Sequence, residues 1–206
     1  MDMRKRMLEG LPYRTTKELA EEQAVTKKKI KAFNHLELDG FDGIEAAVKI
    51  ILGKTGEHAF INAPFHCDYG TNIEVGENFF ANYNLTILDV GKVIIGKNVQ
   101  IAPNVSIYTA GHPIHPKARN SGYEYGIGIT IGDNVWIGGN VVILPGVHIG
   151  DNVVIGAGSV VTKDIPDNML AAGNPCKVIR KIEEEDVHYY YKDQKFDVDD
   201  YILVED

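Results

Sequence analysis

The sequence has few cysteines and no excess of positive charge, and each absence excludes a class of protein. Its 206 residues include two cysteines, Cys67 and Cys176, and no CxxC or Cys/His ligand spacing. This gives no sign of a structural zinc site or a disulfide framework, so we expect two free thiols. The formal net charge of −8 argues against a nucleic-acid-binding protein, because such a protein needs a basic face.

Long apolar runs are also missing. No stretch approaches the roughly 18 apolar residues of a membrane-spanning helix. The first residues, MDMRKR, lack the apolar segment of a signal peptide. We therefore expect a cytoplasmic protein with no membrane association, whose length suits one domain with a sizeable core.

What the sequence does contain is a repeat of six residues. Apolar residues recur at this interval at Ile131, Ile137, Ile143, Ile149, Ile155 and Val161. The period fits neither a helix, which repeats near 3.6 residues, nor a strand, which repeats near 2. Repeated six-residue units are typical of a β-helix solenoid, in which each unit supplies one short strand and a corner.

The same frame extends upstream, with one interruption. Its first places are Val75, Ala81, Ile87, Ile95, Ile101 and Ile107. The step of eight from Ile87 to Ile95 predicts a bulge at Val90–Gly91. Asparagine tolerates left-handed backbone, so the asparagines in the fourth place are predicted corner residues. They are Asn78, Asn84, Asn98, Asn104, Asn134, Asn140 and Asn152.

The flanking sequence differs from the repeat. Residues 1–58 are predicted to form a helical segment, with one helix capped by Thr15 or Thr16 and ending near Phe33, and a second from Asp42 to about Leu52. The solenoid is assigned to 59–182 and an acidic, aromatic tail to 183–206. A polar stretch at 108–128 leaves the repeat, and long loops expelled from regular structure often carry function.

Two irregular positions carry groups suited to catalysis. His112, at the start of the 108–128 loop, can act as a general base near neutral pH, although an exposed loop histidine is the alternative. Asn82 occupies a place in its hexad where Gly or Ala usually stands, which indicates either substrate binding or a corner hydrogen bond. Asp68 and Asp89 are candidate acceptors for substrate hydroxyl groups.

In this acidic chain, basic residues are clustered at one place, near the C-terminal end. The cluster comprises Thr162, Lys163, Lys177, Arg180 and Lys181. These side chains suit phosphate groups, while the alternative is a solvated charged surface.

Five segments and a terminal turn together resemble the maltose/galactoside O-acetyltransferases of the hexapeptide-repeat superfamily. The resemblance covers nearly the whole chain. The segments are Asp68-Tyr69-Gly70, Asn78-Phe79-Phe80-Ala81-Asn82, Tyr108-Thr109-Ala110-Gly111-His112-Pro113, Ile131-Gly132-Asp133-Asn134-Val135-Trp136-Ile137-Gly138-Gly139, Gly156-Ala157-Gly158-Ser159-Val160-Val161-Thr162-Lys163-Asp164 and the turn Gly173-Asn174-Pro175-Cys176.

The resemblance implies a left-handed parallel β-helix, a homotrimer with active sites between subunits, and acetyl transfer from acetyl-CoA to a sugar hydroxyl without a metal. It implies that His112 is the general base and that Asn82 binds the acceptor and stabilises the transition state. Backbone N–H groups near Gly138–Gly139 suit the thioester oxyanion. The implied acetyl-CoA contacts are Gly139, Ala157, Thr162, Lys163, Lys177 and Arg180.

The acceptor side departs from the family pattern. Thr15 and Val90 stand where members of the family carry aspartate, and Asp68 stands where some carry serine. The expected acceptor-binding set is Thr15, Asp68, Asn82 and Asp89. Three alternatives stay open: a hexapeptide acyltransferase with a non-sugar acceptor, a γ-carbonic-anhydrase-like metalloenzyme needing three zinc-ligating histidines, and a non-catalytic scaffold.

Overall fold

Short strands dominate the protein. The computed structural model describes residues 2–35, 41–198 and 200–201. The helices are α1 (Met3–Leu8), α2 (Lys17–Asn34), α3 (Phe41–Ile51) and α4 (Pro116–Arg119), with a 3₁₀ helix at Glu184–His188. The strands are β1 (Lys54–Thr55), β2 (Phe60–Ile61), β3 (Phe65–Cys67), β4 (Ile73–Val75), β5 (Phe80–Ala81), β6 (Leu85–Leu88), β7 (Val93–Ile95), β8 (Gln100–Ile101), β9 (Ser106–Tyr108), β10 (Ala110–Gly111), β11 (Tyr125–Gly126), β12 (Ile129–Ile131), β13 (Trp136–Ile137), β14 (Val142–Ile143), β15 (His148–Ile149), β16 (Val154–Ile155), β17 (Val160–Val161), β18 (Met169–Ala172), β19 (Lys177–Lys181), β20 (Tyr189–Tyr191) and β21 (Gln194–Lys195).

No helix in the described ranges combines the length and the apolar character needed to cross a membrane. The cytoplasmic location expected from the sequence stays a prediction.

Three sheets form the faces of a triangular prism. Face 1 contains β1, β4, β7, β12 and β15; face 2 contains β2, β5, β8, β13, β16 and β18; face 3 contains β3, β6, β9, β14 and β17. The chain visits the faces in this order, so strands one turn apart pair in parallel. We call the boundary after face 2 edge 2–3 and the boundary after face 3 edge 3–1. This parallel β-solenoid confirms the fold that the six-residue period predicts.

The interior consists of stacked aliphatic side chains. Every first-place residue from Ile131 to Val161 is at most 1% exposed. Parallel register places Ile137 between Ile101 and Ile155. Burying each such side chain contributes roughly 1.5–3 kcal/mol. The repeated ladder therefore makes the prism a rigid support for its edges and loops.

Asparagine forms the corners, as predicted. All seven predicted corner asparagines, and also Asn168, have a positive φ between 55° and 64°. Their side chains add a ladder in which each Nδ2 donates to the next Oδ1 at 2.9 Å, through Asn78, Asn98, Asn134, Asn152 and Asn168. The residue type therefore satisfies both the backbone conformation and the packing between turns.

Two substitutions of Asn134 should separate these contributions. Asn134→Gly keeps the left-handed backbone but removes two ladder hydrogen bonds, so we expect a loss of about 1 kcal/mol in unfolding free energy. Asn134→Ala should cost about 1–2 kcal/mol more, because its Cβ is strained at φ 56°. Urea denaturation at fixed protein concentration measures both values. Equal stability of the two variants would contradict the corner argument.

The N-terminal helices pack on the first turns of the solenoid. Thr16 caps α2 by accepting a hydrogen bond from the Leu19 amide at 3.4 Å, which confirms one of the two predicted caps. Phe33 meets Phe65 edge to face, with ring centroids 6.5 Å apart. The Asn34 side chain pairs with both backbone groups of Phe65. Helix α1 is an addition, since the sequence reasoning did not predict it.

The solenoid begins earlier than the predicted boundary at residue 59. Strand β1, at Lys54–Thr55, already pairs with Glu74 and Val75 of β4. Its inward residue is Thr55 rather than an aliphatic residue, so the apolar repeat gives no signal there.

The segment 108–128 leaves the prism between β9 and β12, but it is not irregular throughout. Its ends pair as the antiparallel strands β10 and β11, with α4 between them. After β18 the chain reverses into β19, which pairs antiparallel with it. The end of the predicted solenoid segment therefore folds back as the strand Lys177–Lys181. Within the described part of the tail, β20 and β21 form a second hairpin.

Candidate active site

The loop that carries His112 is fixed at its base. Thr109 is fully buried, and its hydroxyl donates to the Leu88 carbonyl at 2.6 Å while accepting from the Gly91 amide at 2.8 Å. Gly111 passes so close to Tyr125 that a Cβ there would lie 2.4 Å from the ring. Glycine before His112 therefore allows the two arms of the loop to meet.

His112 faces a carboxylate. Its Nε2 lies 4.0 Å from Glu124 Oε2, within ion-pair range but beyond hydrogen-bond distance. The imidazole is 59% exposed and the Glu124 side chain 23% exposed. The geometry leaves His112 accessible to a substrate while a partly buried acid lies beside it.

Glu124 is itself held by the N-terminal segment. Its backbone exchanges two hydrogen bonds with Tyr13, at 2.9 and 3.0 Å. Its Oε1 accepts a hydrogen bond from the Thr15 hydroxyl at 3.1 Å. Burial, followed by the charge of Glu124, raises the pKa of Tyr13 well above its ordinary value, so the phenol stays protonated. Thr15 thus reaches the predicted site through Glu124.

Asp68 and Tyr69 line the same region. Burial and the neighbouring Asp89 raise the pKa of Asp68 to about 6, against an opposing effect of Lys27. Burial, followed by the charges of Asp68 and Glu124, raises the pKa of Tyr69 to about 12. Asp68 and Tyr69 are therefore within electrostatic reach of Glu124, and Tyr69 packs in one buried cluster with Tyr13.

Asp89 lies beneath this region rather than in it. It is 0% exposed, and its Oδ1 accepts hydrogen bonds from the amides of Asp68 and Tyr69 at 2.8 and 3.0 Å. Its backbone carbonyl accepts from the Asn72 side chain at 2.6 Å. Burial raises its pKa despite these amide donors. Its burial favours a structural role over the direct acceptor contact that the sequence predicts.

Asn82 lies on a different edge of the prism from His112. It follows β5 at edge 2–3, whereas His112 follows β9 at edge 3–1. Its Oδ1 accepts from the Tyr83 amide at 2.8 Å, which is the corner hydrogen bond considered as an alternative. Within the described residues its Nδ2 has no partner and no contact joins it to His112. The amide donor is thus available to a ligand.

Edge 2–3 also carries Gly139 and Ala157. Register through Ala81, Ile101 and Ile137 places Gly139 about 10 Å along the edge from Asn82, at roughly 4.8 Å per turn. The Gly138 amide donates to Ile155 at 2.8 Å. Of the two predicted oxyanion donors, Gly139 alone has an amide without a partner among the described residues. The Ala157 amide is equally unpaired there.

Gly138 has no room for a side chain. A Cβ at this position would lie 2.6 Å from the Ala157 backbone nitrogen. The close approach of successive turns therefore requires glycine beside the unpaired amides of the edge.

The basic residues lie at the C-terminal end of the solenoid. Cys176 donates its amide to Val160 at 2.8 Å, which places Lys177 beside the strand leading to Thr162 and Lys163. Arg180 is bound by both Asp186 carboxylate oxygens, at 2.6 and 2.8 Å. Neither Lys163 nor Lys177 has an ion-pair partner among the described residues. Lys181 is likewise without an ion pair in the described ranges, whereas Arg180 is engaged by Asp186 of the tail.

Comparison with known proteins decides the family. Residues 6–56 match the maltose acetyltransferase hexapeptide capping motif, and residues 128–163 match the bacterial transferase hexapeptide repeat. The galactoside O-acetyltransferase of Escherichia coli (strain K12) is 50% identical over 189 residues, which cover 92% of this chain and 89% of that protein. The chain belongs to the galactoside/maltose O-acetyltransferase family.

Solved structures agree with this assignment. A galactoside acetyltransferase in complex with coenzyme A has a TM-score of 0.92 and 48% identity, covering 96% of this chain and 100% of that one. A maltose O-acetyltransferase from Clostridium difficile 630 has a TM-score of 0.87 and 54% identity, covering 89% and 99%. The predicted fold class, family and enzyme class, an acetyltransferase, are confirmed.

Within this acetyltransferase, the sequence does not predict four residues near the site: Tyr13, Tyr69, Thr109 and Glu124. Thr109 and Tyr69 stand inside recognised motifs, but neither was singled out. Glu124 comes late in the 108–128 loop, and its link to Thr15 spans 109 positions. No periodicity points to such a contact.

The remaining reactive side chains are the two cysteines and the groups that could bind a metal. Both thiols are free, with Cys176 buried and Cys67 partly buried. Burial raises the pKa of Cys67, so its thiol stays protonated. Among the described residues no three His, Cys, Asp or Glu side chains are grouped to hold a metal ion.

Proposed function

We propose that this acetyltransferase transfers an acetyl group from acetyl-CoA to a hydroxyl of a small sugar. The observation that carries the proposal is His112, accessible in an anchored loop with Glu124 4.0 Å away, in a chain of this family. Coenzyme A is bound in the related galactoside acetyltransferase structure. A galactoside, a glucoside and a maltose-like sugar are the acceptors to test first.

In this proposal His112 acts directly on the acceptor. Its imidazole removes the hydroxyl proton as the acceptor oxygen attacks the thioester carbonyl. The new ester forms as the carbon–sulfur bond breaks, and the proton held by His112 passes to the departing CoA thiolate. Glu124 stabilises the imidazolium present between these proton transfers and is kept in position by Thr15 and Tyr13.

The residues of edge 2–3 fit the acetyl donor. Acetyl-CoA supplies the activated acetyl group. The unpaired Gly139 amide suits the oxyanion that develops on the thioester carbonyl, and the Ala157 amide suits a carbonyl of the pantetheine arm. The Nδ2 group of Asn82 is a second available hydrogen-bond donor, either to the sugar or to the oxyanion. Thr162, Lys163 and Lys177 suit the phosphates. Arg180 contributes as well once its ion pair with Asp186 is broken.

The two edges indicate that a second copy completes the site. His112 and Asn82 lie on different edges of one prism, so a neighbouring subunit is needed to bring them together. Ile114, two residues after His112, is 95% exposed, as expected of a side chain that contacts a partner. We propose a homotrimer with threefold symmetry, in which each site uses His112 from one subunit and Asn82 from the next.

Mixing two inactive variants tests this arrangement. Co-expressed His112→Ala and Asn82→Ala chains should recover about a quarter of wild-type activity, because that fraction of interfaces in random trimers pairs both intact residues. Separately expressed variants provide the baseline, and sedimentation gives the oligomeric state. No recovery from mixed oligomers would contradict a shared site.

The proposed reaction is tested by an acceptor screen. Acetyl-CoA is incubated with galactosides, glucosides, maltose and amino sugars while released CoA thiol is measured, with an acceptor-free control for hydrolysis. We expect acceptor-dependent thiol release and an O-acetyl product by mass spectrometry. Acetyl-CoA binding by calorimetry provides a separate readout, and its absence would contradict the assigned donor.

A further inference from the structure

The Arg180 guanidinium is already bound by a carboxylate of the tail. Its Nη1 and Nη2 donate to Asp186 Oδ2 and Oδ1 at 2.6 and 2.8 Å, and Nη1 also donates to the Lys181 carbonyl at 2.8 Å. An arginine fork of this kind binds carboxylate and phosphate groups with the same planar, two-point geometry. A phosphate that binds this fork must therefore displace Asp186.

Asp186 is fixed in this position by its own helix. Its Oδ2 accepts a hydrogen bond from the Glu183 amide at 2.9 Å, and its own amide donates to the Glu183 carbonyl at 3.0 Å. The hydrogen bonds from Arg180 lower the pKa of Asp186, so the carboxylate stays ionised at neutral pH. A carboxylate held in the same chain competes with a free ligand at a high effective concentration.

The strength of this ion pair suits a contact that a ligand can replace. The side chains of Arg180 and Asp186 are 49% and 36% exposed. An ion pair with this exposure shifts an equilibrium by a factor of roughly 1.5 to 5. It is therefore weak enough for a ligand to break and strong enough to lower the affinity of that ligand.

Arg180 lies at the far end of the path proposed for the acetyl donor. The inference rests on the proposed function, in which the acetyl-CoA arm follows edge 2–3 past Ala157. Strand β18 of face 2 ends at Ala172, which pairs with Lys177 of β19, so Lys177 continues the same edge. Arg180 follows three residues along β19, roughly 10 Å from Lys177. The phosphates of the donor therefore come within reach of Arg180 after the arm has passed Ala157.

We propose that Asp186 sets the affinity for acetyl-CoA by competing with one of its phosphates for the Arg180 guanidinium. When the phosphate binds, the two N–H donors of the fork move from the carboxylate to phosphate oxygens. The apparent dissociation constant is then the intrinsic one divided by the fraction of molecules in which Arg180 is free. Because CoA carries the same phosphates, the competition also favours its release after acetyl transfer.

Asp186→Asn is the decisive variant, because it removes the charge and keeps an oxygen for the Glu183 amide. Calorimetry should give dissociation constants for acetyl-CoA and CoA that are roughly 2- to 5-fold lower than those of wild type. Glu184→Gln is the matched control. It removes one negative charge from the same 3₁₀ helix, but Glu184 has no ion pair in the described ranges, so both constants should stay unchanged.

Two further measurements assign the effect to Arg180 and to a phosphate. Arg180→Ala should weaken CoA binding roughly 5-fold, and adding Asp186→Asn to it should bring no further change. S-acetylpantetheine carries the acetyl thioester but no phosphate. Its KM as a donor should be the same for wild type and Asp186→Asn.

The possible failures are distinguishable. Unchanged or weaker CoA binding by Asp186→Asn overturns the competition and makes Asp186 an idle or orienting partner of Arg180. Equal tightening by Glu184→Gln, or tightening that persists in Arg180→Ala, overturns it as well, since the effect would then be one of general charge. Absence of CoA binding to wild type overturns the assigned donor and the competition together. CoA binding with the expected changes but no transfer to any acceptor overturns the proposed reaction alone.

Discussion

Replacing His112 with alanine should lower kcat by roughly 10²–10⁴-fold, the usual contribution of a positioned general base. Among the described residues of the anchored loop, no other side chain that could accept the proton is exposed beside Glu124. The acceptor hydroxyl would have to lose its proton to water while attacking the thioester. Steady-state kinetics with the best acceptor of the screen measures the loss.

Acetyl-CoA binding should survive this substitution. The proposed donor groups, such as the Gly139 amide and Lys177, lie on the prism and strand β19 rather than in the His112 loop. Calorimetry should therefore give a dissociation constant within about threefold of wild type, since the substitution leaves the donor contacts in place. Loss of both binding and turnover would indicate a disrupted fold instead of a missing base.

His115→Ala is the matched control for His112→Ala. His115 lies in the same loop, but its Nδ1 accepts a hydrogen bond from the Lys117 amide at 3.2 Å and caps α4. We expect a small loss of loop order and a kcat within about threefold of wild type, as for loss of one exposed cap. If His112→Ala kept more than a tenth of wild-type kcat, or if both variants lost activity equally, the general-base assignment would be wrong.

The regular part of the fold could be predicted because its determinants are local and repeated. Each first-place aliphatic residue has the same surroundings as the residue one turn away, so the sequence period reports the burial directly. The corner asparagines are equally local, because left-handed backbone restricts residue type. Strand β1 could not be predicted in this way. Its inward residue, Thr55, is not aliphatic, and the strand is defined by its pairing with β4 alone.

The candidate site was predictable only where it interrupts that regularity. His112 and Asn82 stood out because each is a polar residue at an irregular place. Glu124 and Tyr13 are brought to His112 by folding of the N-terminal segment against the loop, and no local pattern encodes this contact. The placement of His112 and Asn82 on separate edges likewise depends on counting strands around the prism. That placement is what directs the proposed site to a subunit boundary.

Asp89→Ala should be the most destabilising of the substitutions considered. It would leave the buried amides of Asp68 and Tyr69 without the acceptor that Oδ1 provides. Each orphaned buried donor costs about 1–3 kcal/mol, so we expect a loss of about 2–6 kcal/mol in unfolding free energy. Urea denaturation at fixed protein concentration measures it, because assembly would make the value concentration-dependent.

Asp89→Asn separates the acceptor from the charge. The asparagine keeps an oxygen for the two amides, so its stability at neutral pH should stay within about 1 kcal/mol of wild type. Comparable losses for Asp89→Ala and Asp89→Asn would show that the charge, rather than the hydrogen bonds, stabilises the turn at Asp68–Tyr69.

The direction in which stability changes with pH tests the same interpretation of Asp89. Burial raises the pKa of Asp89 in the folded state, so the folded protein holds this proton more tightly than the unfolded chain. Stability from this group is therefore present at low pH and is lost as pH rises from about 3.9, the ordinary aspartate value, through the folded pKa. Asp89→Asn removes this loss, so its stability relative to wild type should improve as pH rises from 4 toward 7.5. A relative stability that falls over this interval would mean that the ionised carboxylate is favoured in the fold, and that its two amide donors outweigh burial.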